Sequence, residues 1–284
     1  MKKIILATDF SRNAKNAIEY GIQLFGIQGV NYIIVNSFVE PKATTNVAVS
    51  MNDLLRKESI KGLKVLEHSL TEQFPSVSLD SRSLYGSIAS VIEQITLDEK
   101  VYCVVAGTKG LSALERFVMG SSALDIIKNV KLPVLLVPEG SAFHSIERVA
   151  LAADYHHMEQ VQFLSPLIDI ISEQDAELKI VHVHKSNETL NDDEASEDMK
   201  LHNMFLTLKH EICSELNTDV VRGILAFTER NEIQMLAMIA RKHTFFDRLF
   251  HKSITKEMTK LSRLPYLLLH EYNVFGLSVA FRNA

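Results

Sequence analysis

The chain has 284 residues, of which 46% are hydrophobic, and it carries a formal net charge of -5 at pH 7. That length and apolar content suffice for two ordinary domains, and the acidic balance argues against a general nucleic-acid binder, whose surface would be basic. The two cysteines, Cys103 and Cys213, stand far apart and outside any C-x-x-C pattern, which argues against a disulfide framework and is typical of a reducing compartment.

The amino-terminal segment, MKKIILATDF, opens on a strand candidate at Ile4–Ala7. Asp9 breaks its apolar run, and no other stretch of the sequence approaches the ~18 apolar residues of a membrane span. We therefore expect neither a signal peptide nor a transmembrane helix, no membrane partner, and a cytoplasmic location.

Four more β-rich runs follow in the first half of the chain, and amphipathic helical runs separate them. Ser11 is a candidate N-cap for the first helix, because apolar residues follow it at helical spacing. The alternation predicts a parallel sheet with helices on both faces and right-handed crossovers. The further strands are predicted at Tyr32–Phe38, Val77–Leu84, Tyr102–Ala106 and Pro133–Val137, with a loop at Pro41–Ser50 before the second helix.

A spaced set of glycines directly follows the fourth predicted strand. The segment GTKGLSALERFVMGS runs from Gly107 to Ser121 with the spacing G-x2-G-x9-G-S. Glycines let a backbone approach an anion without an intervening Cβ, and Ser121 stands where a helix with free N–H groups would begin. The pattern predicts a phosphate-binding loop at the carboxyl edge of the sheet, where Asp9 also falls.

Two stretches of the first half recur in the second half. Ile4–Phe10, IILATDF, returns as Val149–Tyr155, VALAADY, so that Asp9 matches Asp154. Leu132–Glu139, LPVLLVPE, returns as Leu264–Glu271, LPYLLLHE. Self-similarity of this kind predicts that the chain is two copies of one unit.

The repeats predict the domain boundaries. We expect a first domain at residues 1–140, a second at 146–272, a small polar linker between them, and a tail at 273–284. The matched stretches lie closer together at the end of the repeat than at its start, so the second copy is shorter. We expect most of that shortening between Val220 and Ile239, where the third helix would keep only a turn or two.

Together these motifs resemble the universal stress protein family. The matching features are LATDFS with Asp9 after the first strand, the glycine string with Arg116 inside it, and the proline-led last strand PVLLVP. The resemblance covers both copies. It implies an α/β fold of two tandem Rossmann-like domains, each with a mostly parallel five-stranded sheet in the order 3-2-1-4-5 and helices on both faces.

The same resemblance implies a stress-response or signalling protein that binds an adenine nucleotide. The nucleotide would be ATP, or else ADP or AMP, with or without Mg²⁺. By the family's pattern, the residues that contact phosphates or ribose would be Gly107, Lys109, Gly110, Gly120, Ser121 and Ser122. Those that line the adenosine end would be Thr8, Asp9 and Ser37.

The second copy lacks the glycines. When the matched last strands are aligned, Ile239, Lys242 and Lys252 stand at the glycine positions, and only Ser253 is kept. Three side chains would fill the space that a nucleotide needs, so we expect this copy to be a packing or regulatory partner in an internal domain pair. A homo-oligomer is also compatible with the resemblance.

Two alternatives to a binding protein stay open. A slow ATP-hydrolysing enzyme would need a metal site and a positioned nucleophile, and the sequence shows neither a Walker lysine nor a separate acidic metal motif, so an enzyme is less expected. A structural scaffold would use the glycines only for turns and helix packing. Asp9 could act as a helix cap, and His182 and His184 are better explained as ordinary strand residues than as zinc ligands.

Overall fold

The structure, a computed structural model, describes residues 1–39, 48–109, 119–152, 161–184, 199–240 and 264–270. Its chain divides into two compact units, Met1–Phe143 and His144–Ala284. The linker predicted at residues 140–145 spans that division. Within the described residues, no helix is both long enough and apolar enough to cross a membrane.

The first unit is built from five strands and four helices. These are β1 (Lys2–Ala7), α1 (Arg12–Phe25), β2 (Val30–Phe38), α2 (Ala48–Gln73), β3 (Ser78–Tyr85), α3 (Ile88–Asp98), β4 (Cys103–Gly107), α4 (Ser121–Asn129) and β5 (Val134–Val137). The strand order is β3-β2-β1-β4-β5, and all neighbours are parallel. The order 3-2-1-4-5 that the family resemblance implies is thus confirmed in this unit.

The central strands of this unit form its core. Ile4, Ile5 and Leu6 of β1 are fully buried, and β5 is buried along its whole length. Such continuous apolar runs are typical of parallel strands that are covered on both faces. α1 lies against β4 and β5 and buries Ala17 and Ile18.

Among the residues of the long helix α2 whose side chains are described, burial begins at Ser59. The buried stripe of this helix consists of Ser59, Leu63, Leu66 and Leu70, whereas none of residues 51–58 is buried. The helix begins at Ala48, inside the stretch predicted as a loop, because residues 48–50 contain neither glycine nor proline to stop it.

The second unit repeats this architecture. Its elements are β6 (Arg148–Ala152), a 3-10 turn (Val161–Leu164), α5 (Ser165–Gln174), β7 (Glu177–His184), α6 (residues 199–204), β8 (His210–Leu216), α7 (Val220–Arg230), β9 (Met235–Ala240) and β10 (Tyr266–His270). The strands lie in the order β8-β7-β6-β9-β10 and are parallel, which is again the order 3-2-1-4-5.

Sheet register identifies which residues of the two units correspond. Gly107 of β4 lies opposite Val137 of β5, and Ile239 of β9 lies opposite Leu269 of β10. The repeated last-strand sequences already match Val137 with Leu269, so their partners across the sheet match as well. Ile239 therefore occupies the sheet position that Gly107 occupies in the first unit.

The expectation of a shortened third helix in the second copy is wrong. α7 has 11 residues, as α3 has, and each helix starts directly after a side-chain N-cap, Asp219 for α7 and Ser87 for α3. The missing length comes from the preceding crossover, since the connection 185–209 between β7 and β8 is shorter than the connection 39–77 between β2 and β3. That crossover holds α2 in the first unit.

Candidate functional site

The candidate site lies at the carboxyl edge of the first sheet, where β1 and β4 are neighbours. Chain order reverses there, because β2 lies on one side of β1 and β4 on the other. Ligands of open parallel sheets bind at such a reversal point. The turn after β1 carries Thr8 and Asp9, and the turn after β4 carries Thr108 and Lys109. The residues predicted for the adenosine and those predicted for the phosphates therefore lie in neighbouring turns.

The turn after β1 is held by its own side chains. The Thr8 hydroxyl accepts a hydrogen bond from the Phe10 N–H, and the Asp9 carboxylate accepts one from the Ser11 N–H, both at 3.0 Å. Ser11 is the N-cap of α1, as predicted, and its Oγ accepts from the Ala14 N–H at 3.1 Å. Asp9 thus fixes the approach to the helix rather than capping it.

Phe10 joins this turn to α2. Its backbone lies in the left-handed region, at φ 63°, which is costly for a bulky residue and persists only where the surroundings enforce it. Its ring lies against Gly62, where an added Cβ would come within 2.7 Å of the Phe10 Cζ. Gly62 is therefore a contact position, which the apolar periodicity of the helix does not reveal.

Gly107 is required by the packing of α1 on β4. A Cβ at this position would lie 2.7 Å from Asn13 Nδ2 and 3.1 Å from the Asn13 carbonyl oxygen. Asn13 Nδ2 donates to the Lys109 carbonyl at 3.1 Å, so this asparagine links the start of α1 to the predicted phosphate loop. Asn13 is not among the predicted site residues, although a polar residue on the buried face of α1 was a usable signal.

The other polar atom of the Asn13 amide is a buried acceptor. The side chain is 5% exposed, and among the described residues its Oδ1 has no hydrogen-bond partner. A buried amide oxygen without a donor costs free energy of folding.

The amino terminus of α4 lies beside the exit of β4. Gly120 is its N-cap, with no side-chain cap, and the Gly120 N–H donates to the Thr108 carbonyl at 2.9 Å. Ser121 and Ser122 begin the helix and are both exposed. A helix start combines unpaired N–H groups with the positive end of the helix dipole, and it favours anions.

Lys109 supplies a cation at the same edge, and that cation is already paired. Its Nζ lies 3.2 Å from Oε2 of Glu139, which follows β5. The Lys109 side chain is 18% exposed and that of Glu139 is 59% exposed. The ammonium is therefore kept near the sheet while the carboxylate faces solvent.

Ser37 lies on the opposite side of β1 from the phosphate loop. It is half-buried in β2 and pairs in register with Leu84 of β3. Its neighbour Asn36 donates from Nδ2 to the Thr8 carbonyl at 2.7 Å, which ties the exit of β2 to that of β1. Gly110, the remaining predicted site residue, lies outside the described residues, as does Arg116.

The environment of each of the two thiols favours its protonated form. Burial raises the pKa of Cys103 to about 12, and burial together with the nearby Glu211 raises the pKa of Cys213 to about 11. Both are protonated at neutral pH, and only a thiolate is reactive. Cys103 is fully buried in β4, as its place in an apolar strand predicts.

The corresponding edge of the second unit is chemically different. Ile239 carries a side chain where the first unit has Gly107. His182 and His184 lie on one face of β7 with ring centroids 4.4 Å apart. Across the described part of the chain, no group of three or more His, Cys, Asp and Glu residues could hold a metal ion. Lys242 and Lys252 lie outside that part.

Comparisons with known proteins agree on one family. The model of the "Universal stress protein family" matches residues 1–138. A universal stress protein of Methanocaldococcus jannaschii is 32% identical over 144 residues, which cover 48% of this chain and 81% of that protein. A second, from Thermus aquaticus, is 28% identical over 142 residues, which cover 48% of this chain and 98% of that protein.

A solved structure matches almost the full length. The crystal structure of a universal stress protein from Archaeoglobus fulgidus has a TM-score of 0.63 and 16% sequence identity, and the match covers 94% of this chain and 95% of that one. At that identity the likeness concerns the fold alone, and it extends over both units of the chain.

Proposed function

This chain belongs to the universal stress protein family, and from that membership we propose that its first unit binds an adenine nucleotide at the carboxyl edge between β1 and β4. ATP is the proposed ligand, with its phosphates at the start of α4 and its adenosine toward the exits of β1 and β2. The observation that carries the proposal is the glycine N-cap of α4, which lies beside the exit of β4 at the reversal point of the sheet.

The phosphate end is supported by the donors that gather there. Gly120 leaves the first-turn N–H groups of α4 without a side-chain cap, so a phosphate can accept hydrogen bonds from them. The exposed hydroxyls of Ser121 and Ser122 add two more donors. The ammonium of Lys109 adds a positive charge in the neighbouring loop, and Gly110 completes the proposed set.

The adenosine end is supported by the turn after β1. Asp9 uses Oδ1 to hold the Ser11 N–H, and a carboxylate has further acceptor sites that suit the hydroxyls of a ribose. Thr8 and Ser37 flank that turn on the same edge of the sheet. These three residues are therefore proposed to line the sugar and the base.

Binding with at most slow hydrolysis suits this edge better than catalysis. Phosphoryl transfer needs a positioned nucleophile and concentrated positive charge on the transferred group. Lys109 is already paired with Glu139, and both thiols of the chain are protonated at neutral pH. We propose a cytoplasmic stress-response module, in which Mg²⁺ would accompany the phosphates and the second unit would act as a packing or regulatory partner.

Gly120→Asp tests this assignment while keeping the helix. Gly120 has φ -65° and ψ 151°, a conformation that aspartate readily adopts as an N-cap. Its carboxylate would occupy the first-turn N–H groups and repel phosphate, so we expect the ATP affinity to fall by at least about tenfold. Because Gly120 is buried, the melting temperature is measured beside the affinity to check that the fold is kept.

Calorimetric titration with ATP and thermal denaturation measure the two effects separately. Gly120→Asn is the matched control, because it has the same size without the charge, and it should lose less affinity. A Gly120→Asp protein that is stably folded and binds ATP as the wild type does would contradict the proposed site.

A further inference from the structure

We propose that Glu139 competes with the nucleotide phosphates for Lys109 and thereby lowers the affinity of the site for a triphosphate more than its affinity for a monophosphate. This inference rests on the proposed nucleotide site of the first unit. It assigns a role in ligand selection to a residue that follows the last strand of the sheet and lies outside the glycine string.

The backbone of Lys109 is fixed next to the phosphate end. The preceding residue, Thr108, donates its N–H to the Val137 carbonyl at 3.1 Å and accepts from the Gly120 N–H at 2.9 Å. The Lys109 carbonyl itself accepts from Asn13 Nδ2 at 3.1 Å. With the main chain held in this way, the long side chain is the part that can change its partner.

That partner is now Glu139. The two charged groups are 3.2 Å apart, and the Glu139 side chain is 59% exposed against 18% for Lys109. Glu139 stands just beyond Val137, the end of β5, so its place beside the exit of β4 follows from the parallel pairing of these two strands. The carboxylate can swing into solvent, whereas the ammonium stays at the edge of the sheet.

A phosphate at the start of α4 needs the same ammonium. The phosphate must either displace the Glu139 carboxylate from Lys109 or bind next to that negative charge. Either event lowers the affinity for the nucleotide. This loss of affinity grows with the charge of the ligand, because Coulomb repulsion is proportional to charge. ATP is therefore disfavoured more than AMP, and uncharged adenosine is unaffected. For an exposed ion pair the effect on affinity is about two- to fivefold.

The test is calorimetric titration of the full chain at low ionic strength with ATP, AMP and adenosine. Glu139→Gln should bind ATP about two- to fivefold more tightly, AMP with a smaller gain, and adenosine unchanged. In the Lys109→Met background, the same substitution should give less than half of its gain for ATP. Glu232→Gln is the matched control, since it removes an exposed carboxylate paired with Arg148 at 2.8 Å in the second unit, and all three affinities should stay the same.

Other outcomes overturn defined parts of this inference. If the wild type binds ATP and Glu139→Gln binds it no more tightly, the inference is wrong and the nucleotide site stands. Equal gains for ATP and adenosine also overturn it, because charge would then not be the cause. An undiminished gain in the Lys109→Met background overturns the competition for Lys109. If no form of the protein binds an adenine nucleotide, the proposed function and this inference are both wrong.

Discussion

Glu99, the residue after α3, forms ion pairs with two basic side chains of the sheet. Lys3 of β1 donates to its carboxylate at 2.7 Å, and Arg82 of β3 forms a second ion pair with it. The hydrogen bond from Lys3 holds the pKa of Glu99 below its ordinary value of 4.5, and Arg82 adds to the shift. These contacts tie β1, β3 and the end of α3 to one side chain.

Replacing Glu99 by glutamine should lower the free energy of unfolding near neutral pH by about 1 kcal/mol, because partly exposed ion pairs contribute about that much. A carboxyl whose pKa is lowered by folding contributes stability above its unfolded pKa and loses it as the pH falls through the folded pKa. The difference between the wild type and Glu99→Gln should therefore shrink below about pH 4.

Urea denaturation at about pH 7 and about pH 3 measures this difference. Glu72→Gln is the control, because Glu72 forms an exposed pair with His68 on α2 and should change the stability little at either pH. A Glu99→Gln difference that is the same at both pH values would show that the charge of Glu99 is not what stabilises the fold.

At the scale of residues, what the sequence predicts depends on how local the interaction is. Ser11 is predictable as an N-cap because the N–H that it accepts from belongs to Ala14, one helical turn away. The spacing predicts Gly107 as well, but it does not reveal Asn13, which meets Gly107 only because α1 lies against β4. Contacts between residues that are far apart in the sequence depend on how helices and strands pack against each other. A single sequence does not reveal that packing.

At the scale of elements, one glycine of α2 makes room for the Phe10 ring. Gly62→Leu should push the Phe10 ring off the helix, because even a Cβ would come within 2.7 Å of it. Since Phe10 follows Asp9 in the turn after β1, we expect the ATP affinity to fall by about threefold or more, while the helix content seen by circular dichroism is unchanged. Lys61→Leu, at the exposed neighbouring position, is the control and should bind ATP normally. Equal ATP affinities in the two variants would show that the contact between α2 and Phe10 does not affect the nucleotide site.

The sequence predicts that the strands and most helices exist, but it predicts their first and last residues less well. The buried strands are visible because parallel strands in a core are continuous apolar runs. The start of α2 is not, because none of residues 51–58 is buried, so no core contact marks this part of the helix. The predicted length of α7 is wrong because the two matched ends of the repeat give only the total number of missing residues. They do not show where in the second copy those residues are missing. The sheet register and the N-caps of α3 and α7 show that they are missing before β8.

At the scale of the whole molecule, two units keep one architecture and differ at one edge. Strand order and parallel pairing are the same in both, while Ile239 stands in the place of Gly107 and the crossover before β8 is shorter. Buried strands are constrained on both faces, whereas the turns at the end of a sheet tolerate change. The chain should therefore hold one nucleotide, in the first unit.

Native mass spectrometry of the full chain with ATP is the most direct measurement of this claim, because it counts the ligands on each chain. The proposed site predicts one ATP per chain at saturation, and a lower fraction of ATP-bound chains for Gly120→Asp than for the wild type at an ATP concentration near the wild-type Kd. Two ATP per chain, none at all, or equal ATP-bound fractions for Gly120→Asp and the wild type would contradict it.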